Sequence, residues 1–298
     1  RMKTLPRNQV VIGDAAQSLA RLLPESVDAV VTSPPYVGGL RDYGHSGQLG
    51  QEDSVEQYVA ALRPVLRGVR RVLKPHGSLW LNLGDAFAKT SRQGVPRGSL
   101  LLAPQRVALA LVGDGWLIRN VCVWHKSNPL PQSAQDRLSP TYEVVIFATK
   151  QRDYFFDLDA VRIPHRSVGR SRTRKPRATY QGGNQGLAKL QRLGQPGNAR
   201  GKNPGDVWTH ATAIDRLGHQ ATFPERLIEL PILATCPERI CVQCDQAWTR
   251  PTRIEGSRRR VGQLRRCACF APTRPGIVLD PFFGTGTVGN VARKHRRD

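Results

Sequence analysis

The apolar run Val27-Asp28-Ala29-Val30-Val31 ends abruptly at Thr32-Ser33-Pro34-Pro35-Tyr36. A short run of this kind, rich in β-branched residues, predicts a buried parallel strand. Two successive prolines lack the backbone N–H and fix φ, so neither a sheet ladder nor a helix continues through them. The chain therefore leaves the strand as a stiff, carbonyl-rich turn. It does so at a strand's C-terminal edge, where open α/β sheets hold their ligands. Hydroxyl and carbonyl acceptors in such a turn can take the N–H bonds of a planar amino group, while the Tyr36 ring stacks on the face that carries it.

The rest of the chain alternates strand and helix patterns. Residues 9–14 and 78–83 read as strands, as do 117–125, 143–149 and 276–280. Helical spacing covers 15–23, 54–73 with Pro64 as a kink, 104–112, 223–233, and 287 onward. Alternation of this kind predicts a doubly wound α/β sheet, mixed but mostly parallel. At 298 residues the chain suits one large domain, or one domain with an insertion.

A second motif, Asp280-Pro281-Phe282-Phe283-Gly284-Thr285-Gly286-Thr287, sits at a strand-to-helix junction. Gly284, Gly286 and Gly289 satisfy the glycine spacing of a dinucleotide site. However, the motif ends the chain instead of opening it, and the acidic residue expected ~20 positions further on is absent. A carboxylate and a ring precede the glycines. That layout suits a cofactor with a cationic amino-acid end and no pyrophosphate, namely S-adenosylmethionine.

With both motifs in view, the chain resembles the amino-methylating DNA methyltransferases. Thr-Ser-Pro-Pro-Tyr is similar to their catalytic motif in the form seen in N4-cytosine enzymes, and Asp-Pro-Phe-Phe-Gly-Thr-Gly-Thr to their cofactor motif. The order, catalytic motif first, resembles the permuted beta group. Trp124-His125-Lys126-Ser127-Asn128-Pro129 resembles the family's Trp-x-Lys-x-Asn segment. Gly205-Asp206-Val207-Trp208 and His219-Gln220-Ala221-Thr222-Phe223-Pro224 resemble the stretch leading into its cofactor-contacting helix. The resemblance implies a Rossmann-like, circularly permuted methyltransferase fold. It also implies methyl transfer from S-adenosylmethionine to the N4 amine of a cytosine flipped out of double-stranded DNA. Ser33 and the Pro34 carbonyl would accept from the amine, Pro35 would stiffen the turn, and Tyr36 would stack on the base. The cofactor residues it implies are Asp14, Phe223, Pro224, Asp280, Pro281, Phe282, Gly284, Gly286 and Thr287.

Alternatives stand beside these readings. Asp14 either meets the cofactor's adenine or caps the helix at residue 15. Phe282 is a cofactor contact or a core aromatic, and Phe223 and Pro224 are cofactor contacts or helix-start packing. An N6-adenine enzyme usually carries Asp at the Ser33 position. Because the family continues into a further strand with a ribose-binding acidic tip, a DNA-binding protein with a truncated, inactive core is the alternative of another class.

A net charge of +22 predicts a polyanionic partner. Within residues 165–203 lie Arg170, Arg172, Arg174, Lys175 and Arg177 with no Asp or Glu, a composition too polar for a core. The segment reads as a DNA-contacting insert or a basic linker. The expected organisation is a catalytic part over 1–164, a recognition insert over 165–215 and a cofactor part over 216–298 that carries a Cys-rich knob at 236–270. In the knob, Cys241-x2-Cys244 and Cys267-x-Cys269 suit structural zinc, with Cys236 as a substitute ligand; reduced thiols in a small hairpin are the other reading. Cys122 reads as a buried strand residue. No membrane span or signal peptide is read, so a cytoplasmic protein is expected, and the resemblance implies a bacterial, archaeal or phage origin. The resemblance also admits a cognate restriction endonuclease.

Overall fold

The computed structural model describes residues 7–38, 44, 47–164, 201–213, 223–249, 252–255, 258–261 and 267–298. The first half contains α1 (Ala15–Ala20), β1 (Val27–Thr32), α2 (Val55–Val72), β2 (Leu73–Leu83), α3 (Ala103–Gly113), β3 (Leu117–Lys126) and β4 (Tyr142–Thr149). After α4 (Leu158–Val161) come β5 (Val207–His210) and α5 (Glu225–Thr235). Five short strands follow: β6 (Arg239–Cys241), β7 (Ala247–Trp248), β8 (Thr252–Glu255), β9 (Arg258–Val261) and β10 (Thr273–Arg274). The chain closes with β11 (Val278–Leu279) and α6 (Thr287–Lys294).

Six strands form the central sheet in the order β11-β1-β2-β4-β3-β5. Only β4 opposes its neighbours; the β11–β1, β1–β2 and β3–β5 pairs are parallel. Every residue of β1 is buried, as a central parallel strand requires. Its alternate side chains feed two cores. Val30 joins Leu79, Leu81 and Ile146 under α2, whose buried residues Val55, Tyr58, Leu62, Leu66, Val69 and Val72 trace one helical face. Ala29 and Val31 join Trp80, Phe147 and the inner faces of α5 and α6 on the other side. Trp80 and Phe147 are cross-strand partners and stack with ring centroids 4.0 Å apart.

This two-sided packing places the site. The helix after β1 covers one face of the sheet, and the helix after the adjacent parallel strand β11 covers the other. A crevice opens where two neighbouring strands send their connections to opposite faces, and that is where ligands bind in such sheets.

Several expectations are corrected. Residues 9–12 are not a strand: Val10, Val11 and Ile12 are exposed. The outer edge of β11 is taken instead by Asp298, whose N–H donates to the Gly276 carbonyl and whose carbonyl accepts from the Val278 N–H. β11 is short, and Val278 and Leu279 are only partly buried. The strand read over 78–83 begins earlier, at Leu73, and takes in Pro75, His76 and Gly77 as an irregularity inside β2. Residues 207–210, assigned to the insert, belong to the central sheet. There Gly-Asp-Val-Trp lies parallel to Trp-His-Lys, with Trp124 opposite Trp208.

Candidate active site

The tips of β1 and β11 meet. Thr32, the last residue of β1, donates its hydroxyl to Asp280 Oδ1 at 2.6 Å, and the Phe282 N–H donates to the same oxygen at 3.0 Å. Loss of water around the carboxyl outweighs both bonds and pushes Asp280 up to about 6. The two sequence motifs, 248 residues apart between Thr32 and Asp280, are therefore one hydrogen bond apart in space.

Within the β1 turn the hydrogen bonds run in one direction. Ser33 Oγ donates to the Tyr36 hydroxyl at 3.2 Å, and Tyr36 donates to Glu143 Oε2 at 2.6 Å. Burial and the neighbouring Glu143 carboxylate push the Tyr36 phenol well above its usual range, so it stays protonated as a donor. Asn82 Nδ2 donates to both the Tyr36 oxygen and Glu143 Oε2, and Lys126 Nζ pairs with Glu143 Oε1 at 2.6 Å. The Pro35 carbonyl accepts the Tyr58 hydroxyl at 2.9 Å, which ties the turn to α2. Beneath it, Gly84 leaves room for the Tyr36 ring: a Cβ there would lie 2.6 Å from Cε2.

Asn82, Lys126 and Glu143 are site residues that sequence reasoning did not single out as a group. Register brings them together, since Glu143 lies opposite Trp124, two residues before Lys126 on the same face. A signal was present. Asn82 interrupts the apolar run 79–83, and Glu143 is the one acid in 142–149. Asn82 is 4% exposed, and its Oδ1 has no partner among the described residues.

The cofactor-motif residues divide. Gly284 adopts φ +51° and is exposed, and a Cβ on it would meet the Phe282 carbonyl oxygen only at an ordinary 3.8 Å, so it offers bare backbone to a ligand. Gly286 adopts φ +82°, and both it and Gly289 make room for the Phe283 ring, to which a Cβ on either would come within 3.0 Å. Those two glycines serve a ring of this chain. Thr287 opens α6, with Gly286 at the N-cap and no side-chain cap. Phe282, next to Pro281, packs against the core under α2. Phe223 packs against the opposite core, and the Pro224 carbonyl accepts the Leu227 N–H as α5 begins. Phe223, Leu227 and Pro231 wall a narrow cleft with Thr32, Trp80 and Asn82. Asp14 caps α1, accepting from the Gln17 N–H at 2.8 Å.

Arg170, Arg172, Arg174, Lys175 and Arg177 lie outside the described residues. The sulfurs of Cys241, Cys244, Cys267 and Cys269 all lie within 4.8 Å of one another. Cys236 is not among them: it is fully buried below α5, where its carbonyl accepts from Arg297. Cys122 is buried in β3 as expected.

A switch-point crevice with acceptors on one lip and a carboxylate beside a glycine turn on the other is the layout of an α/β transferase. Comparison with known proteins makes that class particular. The DNA methylase profile of the N6/N4 type matches residues 27–298. The chain is 35% identical to the type II methyltransferase M.SfiI of Streptomyces fimbriatus, over 97% of this chain and 86% of that one. It is 30% identical to M.SmaI of Serratia marcescens, over 97% and 84%. The protein thus belongs to the N6/N4 DNA methylase family. Its fold matches the cytosine-N4-specific PvuII DNA methyltransferase with a TM-score of 0.58 and 20% identity, over 96% of this chain and 78% of that one. It also matches a Thermus thermophilus protein solved with S-adenosyl-L-methionine, with a TM-score of 0.54 and 22% identity, over 96% and 83%.

Proposed function

We propose that this chain methylates the exocyclic N4 amine of cytosine at a specific site in double-stranded DNA, using S-adenosylmethionine. The observation that carries this reading is the direction of the hydrogen bonds. Ser33 gives its proton to Tyr36 and Tyr36 gives its own to Glu143, so the lone pairs of Ser33 are left to accept. An amino group presents donors, and this turn presents acceptors.

The residues fit S-adenosylmethionine. Asp280 offers a carboxylate to an ammonium, and Gly284 offers unshielded backbone beside it. When bound, the cofactor supplies a methyl group on a sulfonium, already strongly electrophilic. What remains for the chain is alignment. Accepting from the amine, Ser33 and the Pro34 carbonyl draw N4 toward sp³ character and orient its lone pair. Methyl transfer leaves N4 cationic. Its proton passes to Ser33 Oγ while the Ser33 proton moves to Tyr36 and the Tyr36 proton to Glu143 Oε2. Lys126 and Asn82 hold that carboxylate in place.

Support for DNA as substrate comes from the type II methyltransferase relatives and the charge of +22. In this reading residues 1–164, strand β5 and residues 216–298 build one methyltransferase domain. The segment carrying Arg170, Arg172, Arg174, Lys175 and Arg177 contacts phosphates, and the base is flipped to reach Ser33. Ser in place of the Asp usual in adenine enzymes supports cytosine. Incubation with labelled S-adenosylmethionine and unmethylated duplex DNA, then nucleoside mass spectrometry, tests this: N4-methylcytosine is expected. N6-methyladenine overturns the base assignment, and no methylated base overturns the activity.

A further inference from the structure

None of the described residues of the Cys-rich knob lines the cleft beside Thr32 and Asn82. The knob's three-stranded sheet, β10-β6-β7, has strands of only two or three residues. Strands that short do not hold a module together by themselves. What the module has instead is four converging thiols from two loops, with sulfurs within 4.8 Å of one another and no disulfide. Tetrahedral zinc with Zn–S bonds of about 2.3 Å places its sulfurs about 3.8 Å apart, so a small contraction completes the site.

The backbone around the thiols is shaped for thiolates. Asp245 at φ +53° follows Cys244, and Phe270 at φ +52° follows Cys269. Each loop thus reverses through a left-handed residue directly after its second cysteine.

One end of this module is wired into the main sheet. Asp245 accepts from Arg274 Nη2 at 2.7 Å, and Arg274 Nη1 lies 3.5 Å from Asp28 Oδ2. Asp28 is 1% exposed, is paired with Lys74 at 2.7 Å, and accepts the Ile277 N–H just before β11. It is the second residue of β1. At about 3.3 Å per residue it lies roughly 13 Å below Thr32 at the reactive tip.

We propose that Cys241, Cys244, Cys267 and Cys269 bind one structural zinc ion, and that this ion pins the base of β1 and β11 through Asp245, Arg274 and Asp28. All four coordination positions are filled by protein, so the ion is a staple and has no open position for chemistry. The inference stands independently of the methylation reading.

Metal analysis of the full chain, purified without chelator, tests it. One zinc per chain is expected, released on titration of the thiols with an organomercurial. Cobalt substitution is expected to give the visible bands of a tetrahedral thiolate site. Cys244→Ser is expected to lose the metal and Cys122→Ala to keep it. Asp245→Asn is expected to keep full metal content but melt several degrees lower, which separates the pin from the ion. Metal-free protein whose thiols react freely with a disulfide reagent overturns the site, as does iron in place of zinc. An unchanged melting temperature in Asp245→Asn overturns the pin.

Discussion

Ser33 is a short side chain whose effect depends on where its proton goes. With its O–H given to Tyr36 it is an acceptor, and Ser33→Ala removes that acceptor without opening a core cavity. A loss of about 10²-fold in kcat is expected, the usual cost of deleting one oriented polar contact at a reacting centre, with DNA affinity unchanged in a filter-binding assay. Glu143→Gln keeps the shape but ends the relay. It is expected to lower kcat by about 10²-fold or more, again without weakening DNA binding; wild-type turnover by this variant removes Glu143 from the mechanism. Asp280 carries a pH signature. Its carboxyl is raised to about 6, so the cofactor-free folded state holds a proton that the unfolded chain has already released. Stability from this group is therefore present at low pH and lost as pH rises through about 6. Cofactor binding has the opposite sense: an ammonium needs the ionised acid, so affinity is expected to fall as pH drops below about 6. Calorimetric titration of S-adenosylmethionine across that range checks this, and Asp280→Asn is expected to bind weakly and without the pH dependence.

At the scale of elements, the end of β2 and the turn after β1 are fitted to each other. Gly84 follows β2 and lies against the Tyr36 ring, while a Cβ on Gly50 would strike the Tyr36 carbonyl. Gly84→Ala places a methyl group 2.6 Å from the ring, so the ring must move. Overpacking of this kind costs about 1–3 kcal/mol, and the displaced ring leaves both Ser33 and Glu143. The expected result is a modest fall in melting temperature with a disproportionate fall in kcat, read by thermal unfolding and turnover on the same sample. A proportionate loss would show that Tyr36 is only packing. The same fitting explains the glycines before α6. Gly286 and Gly289 accommodate Phe283, so the motif's glycine spacing reports turn and helix packing as well as an open approach at Gly284.

For the whole molecule, the dominant quantity is charge. A protein at +22 binds duplex DNA with release of counterions. Affinity is expected to fall linearly on a log–log plot against salt. Neutralising Arg170, Arg172, Arg174, Lys175 and Arg177 together is expected to flatten the slope by about one for each phosphate that these side chains neutralise. A weaker affinity with no change in slope would count against phosphate binding by these side chains. Among the described residues no helix is long and apolar enough to cross a membrane.

Features that depend on local chain chemistry were legible in the order of residues alone. Two successive prolines lack both N–H donors that a ladder needs, so the Thr32–Tyr36 turn had to fall at a strand end. The permuted motif order was read only from the resemblance to a known family, whereas glycines after Asp280 had to make a strand-to-helix turn. The paired cysteines were legible for the same reason. Folding in three dimensions settled which side chains meet across the sheet. A side chain's cross-strand neighbours follow from register and strand order, which local pattern does not carry. Asn82 and Glu143 therefore converged on Tyr36, with Lys126 on Glu143, unannounced, and the run at 9–12 stayed exposed while Asp298 lies along the β11 edge. Cys236 was drawn into the core beside Arg297 although it is adjacent to the knob in sequence, because burial is settled by what packs around a residue and not by its distance along the chain.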